Sequence, residues 1–177
     1  MSTDLTKQAL PAEAARELIW PEWVYPYPAG AVGGFLGGVA VAIVGASYGL
    51  ISGIGPWLPV NVVAATLMRG MQEYSPAVLR QFDPMALVVG LLLHMGMSVG
   101  LGVMFSFILP ALPGRPLYWG PVIGPLLWVG ASIAALPILN PVMAQNVEWI
   151  SFALANVAYG LVLGLWIDRT PMIHQDH

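Results

Sequence analysis

The feature that most constrains this chain is the length of its stretches without charge. No Asp, Glu, Lys or Arg occurs between Glu22 and Arg69, and residues 84–114, 116–147 and 149–167 are also free of charge. A helix needs about 20 apolar residues to cross the hydrocarbon core of a bilayer. Because each stretch approaches or exceeds that length, the sequence predicts an integral membrane protein.

The fold predicted from these stretches is all-α: an integral membrane bundle of four transmembrane helices with short interfacial helices. The predicted spans cover residues 29–54, 84–109, 117–139 and 147–167. The third span contains three prolines, so we expect a kinked helix whose freed carbonyl groups need neighbours. Tryptophan and tyrosine residues near the span ends suit the headgroup level of the bilayer.

Three segments follow from this reading: 1–28, 29–170 and 171–177. The first is polar and then rich in proline and aromatic residues, and we predict that it holds a short helix and an extended run at the membrane interface. It does not resemble a cleavable signal, since no apolar run follows its charged start directly, so the first span should be retained as an anchor. The second segment is the transmembrane domain, and the third is a polar tail.

The connection between the first two spans predicts two kinds of helix. In VNVVAATLMRGM, apolar residues such as Val63 recur at helical spacing while Asn61 and Arg69 fall on the opposite face, which predicts an amphipathic helix along the membrane surface. Ser75 and Asp83 each precede a proline, a pattern typical of an N-cap followed by the first helical turn.

Four spans place both termini on one side of the membrane. That side carries four basic residues and the other side two, so the excess of Lys and Arg predicts cytoplasmic termini. The basic residues of the terminal side are Lys7, Arg16, Arg115 and Arg169, and those of the opposite side are Arg69 and Arg80.

Small residues line two of the predicted spans. Such residues let helix backbones approach closely, and an asparagine among them can hydrogen-bond across the contact. We therefore predict helix-packing roles for Gly33, Gly34, Gly37, Gly38, Asn156, Gly160 and Gly164.

Two short patterns recur in the two halves of the chain. VGAS occurs at Val44–Ser47 and at Val129–Ser132, and an asparagine follows each copy at the same interval. His94 with Gly102 and Asn156 with Gly164 share a second spacing. Two explanations are open: duplication of a helical hairpin, or chance resemblance in an apolar, glycine-rich chain.

His94 is the single titratable side chain well inside a predicted span, close to the bilayer midplane. An ionisable group at that depth is a functional candidate by default. It could ligate a haem, hydrogen-bond a quinone or form part of a proton path. The competing interpretation is a neutral histidine that bonds to a serine, an asparagine or a carbonyl group of an adjacent helix.

Several function classes have no support in the sequence. The absence of cysteine excludes iron–sulfur ligation, thiolate catalysis and disulfides, and a net charge of -3 with scattered basic residues gives no nucleic-acid footprint. No nucleophile elbow, phosphate loop or paired-histidine metal motif occurs. We therefore predict no catalytic residues, no metal site and no cofactor belonging to this chain.

Six segments are distinctive in combination: PVNVVAATLMRGMQ, SPAVLRQFDP, LLLHMGMSVGLG, LPALPGRP, GPLLWVG and LNPVMAQNVEW. Together they resemble an uncharacterised family of small bacterial four-helix inner-membrane proteins that is associated with gene clusters for haem–copper respiratory oxidases. The resemblance covers most of residues 29–170 and implies that the protein works in a respiratory chain, without implying any catalytic residue.

The leading hypothesis is a non-catalytic membrane subunit or assembly partner of a larger bacterial respiratory complex, a haem–copper oxidase or a quinol or cytochrome c oxidoreductase. Its partners would be membrane lipids and other integral subunits, and His94 would contact a haem or quinone held by a neighbour. A small oligomeric transporter or channel component is one alternative. A haem- or quinone-binding membrane protein that uses His94 is another.

Overall fold

The structure, a computed structural model, describes residues 23–174, and it is all-α apart from one short β-ribbon. Four helices, α1, α4, α5 and α7, are long and apolar enough to cross a membrane, which confirms the predicted fold class. The elements are β1 (Trp23–Val24), α1 (Tyr27–Ile51), α2 (Trp57–Ala64), α3 (Pro76–Leu79), α4 (Pro84–Ile108), α5 (Pro116–Leu139), α6 (Pro141–Asn146), α7 (Trp149–Asp168) and β2 (Ile173–His174).

Capping side chains explain where two of the long helices begin. Asp83 accepts hydrogen bonds from the backbone N–H groups of Met85 and Ala86, and Glu148 caps α7 in the same way. Ser75 precedes α3 as predicted, but its side chain makes no capping hydrogen bond. Of the extended run predicted in the first segment, Trp23 and Val24 form β1, whereas Tyr27 and Pro28 already belong to α1. The predicted helix further towards the N-terminus lies outside the described residues.

The long helices pack in the order α4, α1, α7, α5, so that α1 and α7 lie in the middle and α4 and α5 at the flanks. Helices α1 and α4 form one antiparallel hairpin, and α5 and α7 form the other. The short helices α2, α3 and α6 all lie at the end of the bundle where α4 and α7 begin.

Helix α1 packs on two neighbours through glycines on two of its faces. A Cβ atom at Gly34 or Gly38 would collide with Ser98 of α4. A Cβ atom at Gly33 would lie 2.8 Å from a methyl carbon of Leu163 in α7, and one at Gly37 would lie 2.7 Å from the ring of Tyr159. Without these glycines α1 could not approach either neighbour as closely.

The second hairpin is built around the same kind of contact. Gly120 of α5 packs on Gly160 and Gly164 of α7, with a distance of 3.2 Å from a Cβ built at Gly120 to the Cα atom of Gly164. The corresponding distance from a Cβ built at Gly34 to Gly102 in the first hairpin is also 3.2 Å. The two hairpins therefore share one packing scheme.

This shared scheme supports duplication of a helical hairpin. When the two hairpins are aligned by this contact, Gly34 corresponds to Gly120 and Gly102 corresponds to Gly164. In the same alignment His94 corresponds to Asn156, as the sequence spacing indicates. A short helix on the same side of the bundle joins the two long helices of each hairpin. The VGAS copies are shifted by one residue from the register that the glycine contacts define.

The prediction of an amphipathic surface helix after the first span is wrong about the length of the helix and about its polar face. Helix α2 ends at Ala64, and Asn61, expected to face water, is only 2% exposed. The Asn61 amide donates hydrogen bonds of 2.8 Å to the backbone carbonyl groups of Leu79 and Gln81. It thus satisfies acceptors where α3 ends, and this tertiary role decides its burial.

A fully buried asparagine joins the short helices of the two hairpins. Asn140 accepts a hydrogen bond from the Met143 N–H at the start of α6, and its amide donates to the carbonyl oxygen of Val62 and the hydroxyl group of Thr66. The α2 and α6 segments are therefore held together by hydrogen bonds of Asn140, a residue that is 0% exposed.

At the opposite end, the two ends of the described chain meet. Trp23 pairs with His174 and Val24 with Ile173 in an antiparallel ribbon, so both ends lie at the same face of the bundle. Arg115 forms a two-pronged hydrogen-bonded ion pair with Asp168, which ties the start of α5 to the end of α7.

We expect Gly34→Ala to lower the free energy of unfolding by about 1–3 kcal/mol, because the new Cβ would overpack the contact with α4. Gly45→Ala on the same helix is the matched control, since a Cβ there meets nothing within 4 Å. Alanine favours helix over glycine by about 0.5–1 kcal/mol, so the control should be neutral or stabilised. Circular dichroism during unfolding in mixed micelles measures both, and equal stability of the two variants would contradict the packing assignment.

Candidate functional site

A cavity of about 440 Å³ lies inside the bundle, within the range of about 300–1,000 Å³ typical of small-molecule sites. Residues of α4 and α5 line opposite flanks, α1 and α7 contribute residues between them, and α2 and α6 add others at one end. The lining is predominantly apolar, with Leu93, Met97 and Trp128 among its large side chains.

The two hairpins differ at one pair of positions on the faces that they turn towards each other. When α1 is aligned with α5 so that Gly34 corresponds to Gly120, Gly33 corresponds to Trp119 and Gly37 to Ile123. Helix α1 can therefore pack closely on α7, whereas α5 has bulky residues where it would meet α4. These flanking helices are not closely packed, and space remains between them.

His94 lines this cavity and is partly buried. Its Nε2 atom lies 2.9 Å from the backbone carbonyl oxygen of Gly38 in α1. Because a carbonyl group can only accept, Nε2 carries a hydrogen, and in the tautomer with that hydrogen alone Nδ1 is an acceptor. A histidine bonded to a carbonyl group of an adjacent helix is one of the predicted arrangements, and its functional role stays a hypothesis.

Tyr159 is the polar group of the cavity lining that sequence reasoning missed. Its hydroxyl group donates a 2.6 Å hydrogen bond to the backbone carbonyl oxygen of Ser98, so it connects α7 with α4. The ring passes over Gly37 of α1, where a side chain would block it. A tyrosine in the middle of a span, far from the headgroup level where tyrosines accumulate, was the available signal.

Asn156 also lines the cavity, but its predicted hydrogen bond across a helix contact is wrong. The side-chain amide instead donates to the carbonyl oxygen of Phe152, one turn earlier in the same helix, at 2.8 Å. The Asn156 backbone carbonyl oxygen, not the side chain, lies near Gly124 of α5, at 3.8 Å from a Cβ built there. The amide is therefore satisfied locally.

One end of the cavity is polar. Thr66, Asn146, Glu148 and Ser151 line it where α7 begins. Backbone hydrogen bonds from Ser151 and Ile150 hold the pKa of Glu148 below its ordinary value. This carboxylate is consequently ionised at neutral pH and marks the end of the cavity nearest the membrane surface.

The structure brings some of the predicted site residues together and separates others. His94 and Asn156 line one cavity, and Gly38 supplies the carbonyl group that orients the His94 ring. Gly33, Gly160 and Gly164 do not line it and serve helix contacts. Among residues 23–174, no group of three or more His, Asp or Glu side chains could hold a metal ion.

The chain has no match among protein-family models, curated proteins or solved structures.

We expect Tyr159→Phe to lower the free energy of unfolding by about 0.5–1.5 kcal/mol, since the buried carbonyl group of Ser98 would lose its side-chain donor. Tyr27→Phe is the control, because Tyr27 is 54% exposed at the start of α1. Thermal unfolding in detergent, followed by circular dichroism, should separate the two variants. Identical midpoints would show that the Tyr159 hydroxyl group contributes nothing measurable.

Proposed function

We propose that this multi-pass membrane protein is a non-catalytic integral subunit or assembly partner of a larger complex. The observation that supports the proposal best is a pair of outward-facing glycines on α4. Gly96 and Gly100 lie one turn apart and are exposed, and a Cβ atom at either would meet no atom of residues 23–174 within 4 Å. A small-residue pair of this spacing is the surface that membrane helices use for close approach to another helix.

The glycines inside the bundle show what such a surface does in this chain. Gly34 and Gly38, with the same spacing, form the contact of α1 with α4. Lipid tails gain little from a glycine, because it offers them few atoms to contact. A second helix gains a close backbone approach. The outer face of α4 is thus suited to a helix of a partner subunit.

Helix α5 adds a second reason to expect a neighbour. Only 6% of its most apolar stretch is buried, compared with 33% in α1 and 39% in α7. The helix continues through Pro121, Pro125 and Pro137, none of which can donate a backbone hydrogen bond. Carbonyl groups left without their usual donor are costly in lipid, and a packed neighbour can supply donors.

The kind of complex is inferred from the sequence resemblance described above. It favours a respiratory complex of a bacterial inner membrane, of the haem–copper oxidase or quinol or cytochrome c oxidoreductase class. In that setting the chain contributes helix contacts, and the redox chemistry belongs to its partners.

The proposal also assigns an orientation. The face that carries β1 and β2 is assigned to the cytoplasm, because the basic residues of the terminal side outnumber those of the opposite side. Those of the terminal side are Lys7, Arg16, Arg115 and Arg169.

We expect Gly96→Leu and Gly100→Leu to separate the protein from its complex, since a leucine side chain would hold a partner helix away from α4. The tagged protein is extracted from its native membranes with a gentle detergent, and mass spectrometry and a visible spectrum of the same fraction identify what accompanies it. The wild type should carry stoichiometric haem-bearing oxidase or reductase subunits. Each variant should lose at least about nine-tenths of them, as expected if the binding free energy of the partner falls by about 1.4 kcal/mol or more.

Val32→Leu is the control, because Val32 is 43% exposed and the change puts a leucine on α1, a helix whose exposed face is not assigned to a partner. It should keep the partners. A colourless wild-type protein that purifies alone or as a homo-oligomer would contradict the respiratory proposal. Full retention of the partners by both α4 variants would contradict the assigned surface.

A further inference from the structure

We propose that the cavity binds an apolar molecule whose small head carries a hydroxyl group, of the chemical class of a hydroquinone with an isoprenoid tail. The hydroxyl group donates a hydrogen bond to Nδ1 of His94. This site belongs to the chain itself and does not depend on the partner complex.

The two ring nitrogens of His94 differ in their hydrogen bonding. Nε2 is engaged with the Gly38 carbonyl oxygen, and Nδ1 has no hydrogen-bond partner among residues 23–174. No buried side-chain nitrogen or oxygen in that part of the chain lacks a partner, so Nδ1 is accessible and not sealed in the protein. An accessible acceptor in an apolar membrane cavity requires a donor from outside the chain.

The depth of His94 in the membrane limits which molecules can reach it. His94 lies about ten residues after the start of α4 at Pro84, which is roughly 15 Å along the helix and about half of a hydrocarbon core of about 30 Å. Phospholipid headgroups stay at the membrane surface and do not reach that depth. A hydroquinone head is small and weakly polar, so its hydroxyl group can enter the hydrocarbon region.

The shape and chemistry of the cavity lining fit an aromatic head with an apolar tail. The cavity has room for an aromatic head, and Trp128 and Phe152 offer aromatic surface. A narrower apolar crevice between α4 and α5 shares Leu101 and Tyr159 with the cavity. Leu91 and Met97 of α4 and Leu139 of α5 line the cavity and are 39–50% exposed, so the cavity opens to the outside there and an isoprenoid tail can leave into the lipid.

The test uses the full-length chain, purified without partners and placed in lipid nanodiscs. The probe is a decyl-tailed hydroquinone kept reduced under argon, and its dimethyl ether is the matched ligand without a hydroxyl donor. Calorimetric titration gives the affinity, and the ¹⁵N resonance of Nδ1 reports hydrogen bonding at His94. We expect saturable 1:1 binding of the hydroquinone, a shifted Nδ1 resonance, and at least about tenfold weaker binding of the ether, as expected for one hydrogen bond.

Two variants locate the site. His94→Ala removes the acceptor and should weaken hydroquinone binding about tenfold, so that hydroquinone and ether bind the variant with similar affinity. Gly45→Leu places a side chain in the cavity, where a Cβ has open space, and should abolish binding of both ligands. Gly130→Leu, the same change at the exposed glycine of the other VGAS copy, should bind like the wild type.

Circular dichroism and monodispersity must match the wild type for every variant, and the ¹⁵N shift of the wild type provides a test that needs no variant. Equal binding of hydroquinone and ether would overturn the role of the hydroxyl group, and unchanged binding by Gly45→Leu would overturn the location. A cavity that holds only water or a copurified acyl chain would appear as no hydroquinone binding at all, which rejects the proposal. None of these outcomes depends on whether Gly96 and Gly100 hold a partner subunit.

Discussion

The close approach of α1 to both of its neighbours is the contact on which the rest of the structure depends. In a bilayer, lipid tails compete with apolar side chains on equal terms, so helices associate through tight packing and hydrogen bonds and not through a hydrophobic driving force. Gly34 and Gly38 provide that packing towards α4, and Gly33 and Gly37 provide it towards α7. The space above Gly37 also lets Tyr159 reach the Ser98 carbonyl oxygen, which adds a hydrogen bond between helices that flank α1.

The two sides of the bundle differ in how closely the hairpins pack. Both hairpins share a glycine contact, yet α5 carries Trp119 and Ile123 where α1 has its second glycine pair. Close packing between the hairpins is therefore available between α1 and α7, whereas the flanking helices α4 and α5 stay apart.

The two hairpins also differ in the polar residue that faces the cavity. His94 and Asn156 occupy equivalent positions, but the asparagine amide bonds within its own helix. The imidazole bonds to α1, and its other nitrogen has no partner in the part of the chain that the structure describes. The free nitrogen follows from the ring's two separate hydrogen-bonding atoms, of which one is oriented by Gly38. An asparagine at this position would not offer the same fixed acceptor at the same depth.

The sequence by itself determined the elements. Uninterrupted apolar stretches define the four long helices because lipid cannot satisfy an open backbone, and Asp83 marks the start of one of them because its carboxylate caps the first turn. The tertiary structure alone decided which partner each polar group meets. Periodicity placed Asn61 towards water and Asn156 across a helix contact. The burial of Asn61 instead depends on a carbonyl group at the end of α3, and the Asn156 amide bonds to a carbonyl group of its own helix. The cavity likewise depends on how two hairpins pack, which no local pattern records.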